Sequence, residues 1–106
     1  MKNLDEIAGR LQARLDEKDT VREIAIKSSR AVIRLSGGIV HGIHRREDVE
    51  ELYAEALDEV HRLRSLLEDH PDIWASGLVG DALSEIAEAS ILMAVARGED
   101  LPDPDE

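Results

Sequence analysis

The sequence predicts an all-α protein: an antiparallel three-helix arrangement with a long first helix, forming part of a larger helical bundle. Three observations carry this. With no Phe, one Trp and one Tyr, the core must come from Leu, Ile, Val and Ala, a composition suited to helices packed on helices. Apolar residues recur at i, i+3 and i+4 through most of the chain, the spacing of one helix face. A turn signal at residues 69–72 and a helix start at Asp48 divide the pattern into three helical stretches. At 106 residues the chain makes one domain, and the elements follow in order.

The first helix is expected over residues 3–43. Asn3 or Asp5 can start it, and Leu4, Ile7, Leu11 and Leu15 line one side. The polar run 16–20 holds neither Pro nor Gly, so one continuous helix is favoured there. Beyond it, Val21, Ala25, Ser28, Val32, Leu35, Ile39 and Ile43 share a face at 100° per residue, which makes a core stripe. Gly37 and Gly38 each cost a helix about 1 kcal/mol relative to Ala. Either close packing, a helix end or ligand access to the backbone should offset that, and Gly42 suits the helix's end.

A second helix is expected over residues 48–69, with Asp48 and Glu51 at capping-box spacing. Val49, Leu52, Tyr53, Ala56, Val60, Leu63 and Leu67 form its stripe. The third helix is expected over residues 73–97, opened by Trp74 and closed by Gly98. Leu78, Val79, Leu83, Ile86, Ile91, Leu92, Met93 and Val95 surround much of it, more apolar surface than three helices can bury. A homo-oligomer through this helix, or further chain, is expected to cover it. Residues 99–106, acidic and containing two prolines, read as a tail or linker to a larger protein.

Charge singles out one segment. Residues 20–46 hold Arg22, Lys27, Arg30, Arg34, Arg45 and Arg46 against Glu23, a net +5 in a chain of −11. Lys27, Arg30, Arg34, His41 and Arg45 fall opposite the core stripe, edged by Ile26, Ile33 and Val40. A solvated face normally mixes signs, so a single-sign line reads as facing phosphates; the alternative is pairing with acids of a neighbouring helix. The remaining acidic surface, poor in Lys, is of the kind found in salt-adapted proteins, and it repels nucleic acid in general. No Cys, no leader-like start and no run of 18 apolar residues occur, so a soluble cytoplasmic protein with no membrane partner is expected.

Glu85 and Glu88, three apart on the third helix with Asp81 one turn earlier, form the other candidate site. Carboxylates among apolar residues call for a cation, and oxygen donors suit Mg²⁺ or Mn²⁺, which can polarise a phosphoryl group or activate water. Pairing with arginines of the first helix is the alternative. His41 and His44 lack a third ligand, and no P-loop, dinucleotide fingerprint, G-x-S-x-G or H-E-x-x-H occurs.

VREIAIKSSRAVIRLSGGIVHGIHR resembles the first long helix of the translin family, and DIWASGLVGDALSEIAEASILMAVARGEDLP resembles a later helix of that family. The resemblance covers nearly all of this chain but only about the N-terminal half of a family member. It implies an all-α protein that assembles into hollow oligomers and binds single-stranded RNA or DNA. The family's catalytic branch is a metal-dependent endoribonuclease. Its first acidic pair lies in a sequence similar to LSEIAEAS, so the resemblance implies Glu85 and Glu88 as catalytic metal ligands; the branch's other acids lie on a helix beyond these 106 residues. Two competing readings stay open. Glu47, Glu50, Glu51, Glu55 and Asp58 with Glu85 and Glu88 resemble the acidic helices of all-α Mg²⁺-dependent nucleotide pyrophosphatases, and a non-catalytic oligomerisation scaffold fits the apolar third helix.

Overall fold

The computed structural model describes residues 2–98, with side chains from residue 3. It is all-α, with four helices: α1 (Lys2–His44), α2 (Glu50–Leu66), α3 (Pro71–Trp74) and α4 (Gly77–Ala96). The expected tail, 99–106, lies outside the described residues.

At 1.5 Å per residue α1 is about 65 Å long, and it accounts for the 69 Å long axis of the molecule. Only its second half is inside a bundle. There α2 and α4 both pack on it, and they meet each other mainly through side chains. One end of the core joins Val32, Leu35 and Ile39 to Val49, Ala56, Ala82, Ile86, Ala89 and Met93. The other joins Ala25 to Leu63, Leu67, Ile73 and Val79, with Trp74 packed against it. This pairing of ends makes α2 antiparallel to α1, and α4 parallel to it. The expected core stripe of α1 is buried or half-buried at every position from Val21 to Ile43.

The first helix runs to His44, one residue past its expected end, and closes in a Schellman motif, Glu47 N–H donating to the Gly42 carbonyl (2.8 Å) and Arg46 N–H to that of Ile43 (3.0 Å). Arg46 takes the left-handed conformation, φ 61°, that glycine usually fills at this position. Gly42 serves packing instead, since a Cβ there would lie 2.4 Å from Cγ1 of the buried Val49. Gly37 meets no such obstacle.

The capping box does not form. The Asp48 carboxylate accepts the Glu50 N–H at 3.0 Å, an Asx turn just ahead of the helix, which starts at Glu50, two residues later than expected, with Val49 as its N-cap. The third helix is broken into α3 and α4 by extended backbone at Ser76, φ −67° and ψ 155°. Pro71 opens α3 at a first-turn position, where its missing N–H costs nothing. Gly98, φ 70°, follows α4 as expected.

The α4 helix is buried on one face, at Val79, Ala82, Ile86, Ala89 and Met93, rather than on most sides. Ile91 and Val95 stand 57% and 53% exposed. Two polar links tie the bundle. Ser90 donates to the Ile86 carbonyl, so the Tyr53 hydroxyl is the donor in its 2.9 Å bond to Ser90. Ser28 donates to Glu59 at 2.7 Å across α1 and α2, and Arg62 donates to the other carboxylate oxygen.

Glu59 gives a pH signature. The Arg62 hydrogen bond, and then that of Ser28, hold its carboxyl below the ordinary 4.5 against the opposing effect of burial. A depressed folded value means the stabilisation is present above the unfolded value and lost as pH falls through the folded one. Glu59→Gln should therefore cost about 1 kcal/mol near neutral pH. As pH falls below 4.5 and the folded carboxyl takes up its proton, that difference should shrink, as urea titrations of both proteins at a series of pH values would show.

Candidate nucleic-acid interface and acidic pair

The basic line is set by the winding of α1. Core positions fill one side of the helix against α2 and α4, which leaves Lys27, Arg30, Arg34 and His41 exposed on the other, with Arg45 exposed in the turn that follows. Ile26, Ile33 and Val40 are half-buried along one edge. From Lys27 to Arg45 the line spans about 27 Å.

The pairing of cations separates this line from the rest of the surface. Arg10 pairs with Glu6, Lys18 with Asp72 at 2.6 Å, Arg22 with Asp19, Arg62 with Glu59 and Arg97 with Glu50. None of Lys27, Arg30, Arg34, His41 or Arg45 forms an ion pair among the described residues. Arg34 comes nearest to doing so, since its charge helps to hold the Glu59 carboxyl low. Apart from the influence of Arg34 on Glu59, these cations stand away from the acids of α2 and α4 because those helices occupy the opposite side of α1.

The acidic pair is brought to the surface, not to a cavity. Asp81, Glu85 and Glu88 are all exposed on α4, away from its buried stripe. Neither Glu85 nor Glu88 pairs with an arginine of α1. Among the described residues no group of three or more His, Asp or Glu side chains is placed to hold a metal ion. As a donor set the pair fits Mg²⁺ in chemistry but supplies only two side chains, leaving the other positions to water, phosphate or another chain.

A cleft of about 360 Å³ between α1 and the α3–α4 junction was not legible in the sequence. Ala25, Ile26, Ser29, Ile73, Leu78 and Val79 line it, with Arg22 and Asp72 also on its wall. The buried Ser29 hydroxyl there has no hydrogen-bond partner. Its residues come from three elements, and only the break at Ser76 brings them together; the Ser76–Gly77 dipeptide was the one local sign of that break.

Fold and surface together define an all-α protein with an elongated helix that presents an unpaired basic line. Compared with known protein families, with curated proteins and with solved structures, the chain matches none. Among the described residues no helix is long and apolar enough to cross a membrane.

Proposed function

We propose that this protein binds single-stranded nucleic acid, RNA in the first place, in the manner of the translin family that its helices resemble. The observation that carries the proposal is the unpaired, exposed line of Lys27, Arg30, Arg34, His41 and Arg45 in a chain whose net charge is −11. An acidic protein gains nothing in solubility from concentrating cations on one face. Phosphates spaced along a flexible strand are a partner that such a face attracts, and the half-buried edge of Ile26, Ile33 and Val40 offers apolar contact to bases.

Phosphodiester cleavage is the second part of the proposal. Glu85 and Glu88 would hold Mg²⁺ or Mn²⁺, and the bound ion would polarise the phosphoryl group or activate water. On this chain the pair needs further oxygen donors, which a second subunit and the nucleic acid itself can provide. The exposed Ile91 and Val95 of α4 support assembly through that helix.

Binding of a labelled single-stranded RNA across a salt series tests the first part, with Ca²⁺ in place of Mg²⁺ to suppress cleavage. Four permanent cations on the line predict a log–log salt slope of about −3, at roughly 0.7 per phosphate neutralised. A slope near zero, or no binding at any salt where the helices persist, would refute it.

A further inference from the structure

We propose that the first half of α1 is a dimerisation arm, which pairs antiparallel with the same segment of a second copy. The proposal is independent of the nucleic-acid reading and concerns a different surface.

Residues 3–17 project beyond the bundle with every side chain exposed. Yet the segment has the pattern of a packed helix: Leu4, Ile7, Leu11 and Leu15 stand 59%, 50%, 55% and 57% exposed on one side. The same seven-residue repeat runs through the whole helix. Counting from Leu4, every seventh residue is Leu11, Lys18, Ala25, Val32 and Ile39, and the last three are buried against α2 and α4. The residues three further on are Ile7, Arg14, Val21, Ser28, Leu35 and Gly42. An apolar seven-residue repeat, interrupted by charge only at Arg14 and Lys18 where the arm meets the bundle, is the seam of helices that pack side by side at a shallow angle. In the bundle that seam is occupied; in the arm it is bare.

Charge decides the occupant and its direction. The arm carries acids at Asp5 and Glu6, bases at Arg10 and Arg14, and acids again at Asp16 and Glu17. Two arms in parallel register would stack Arg14 on Arg14 and Lys18 on Lys18 at seam positions, which like charges forbid. Run antiparallel, with Ile7 of one copy facing Leu11 of the other, the seam places Arg14 opposite Leu4 and beside Asp5 of the second copy. The two-fold axis repeats that contact at the other end, so the segment is complementary to itself. A lone arm of this length is also marginal as a helix in water, and pairing supplies the packing that holds it.

Equilibrium sedimentation of the full chain over a roughly hundred-fold range of concentration is the test, because so short an interface dissociates on dilution. The expected result is a mass rising from one chain to two. In an Ile91→Glu background, which removes assembly through α4, the chain should still dimerise, and adding Ile7→Glu and Leu11→Glu should hold it at one chain while its bundle melts unchanged, since these sites are exposed and Glu favours helix. Orientation is read by disulfides, as the chain has no cysteine of its own. Ile7→Cys and Leu11→Cys proteins should cross-link when mixed and far less when each is oxidised alone. A single-chain mass at every concentration would overturn the proposal. So would a dimer that survives all three glutamates, one lost through Ile91→Glu alone, or an Ile7→Cys protein that cross-links mainly to itself.

Discussion

Replacing Lys27, Arg30 and Arg34 together by glutamine should weaken binding of single-stranded RNA by roughly a hundred-fold at about 0.1 M salt and reduce the salt slope from about −3 to about −1. Three of the four permanent cations of the line are removed, and Arg45 remains. The size of the loss follows from the charge background: away from residues 20–46 the chain carries −16, so nothing else on the surface can substitute for them. Stability should be nearly unaffected, because the three side chains are exposed and unpaired. Arg34 alone has a structural cost, a small one, through its influence on Glu59. Fluorescence anisotropy with the native and variant proteins at several salt concentrations measures both quantities. Unchanged affinity and slope would remove the basic line from the function altogether.

What the sequence made legible was whatever depends on one helix at a time. The length of α1, its core stripe and the opposed basic line all follow from 3.6 residues per turn, and the structure keeps each of them. The Ser76 break was hidden because the apolar periodicity passes through Ser76 and Gly77 without a gap, while the break itself is a matter of backbone angle. The setting of Glu85 and Glu88 depends on which side of α4 is covered, and a wheel cannot say that. Ser28 and Glu59 are 31 residues apart, and nothing local in either announces the other. Gly42 shows the same limit: its requirement comes from Val49, across the turn, rather than from the helix end that its position suggested.

The bare arm raises the sharpest form of this problem, because a stripe predicts a partner without saying whether the chain supplies one. Leu11 and Ile39 occupy equivalent places in the seven-residue repeat of one helix, yet Leu11 is 55% exposed and Ile39 is fully buried among α1, α2 and α4. Ile39→Ala should cost about 3 to 4 kcal/mol, from lost burial plus the cavity left in the core cluster that Ile39 shares with Ala89 and Met93. For a domain of this size that lowers Tm by more than about 10 °C. Leu11→Ala should change the unfolding of an isolated chain by less than about 0.5 kcal/mol, because Ala is the better helix former and little surface was buried to begin with. The cost should grow with protein concentration if the arm pairs with a second copy, since association stabilises by mass action. Thermal melts of both variants at two well-separated concentrations decide the matter. A concentration-independent loss at Leu11 as large as that at Ile39 would mean that the arm is covered within its own chain.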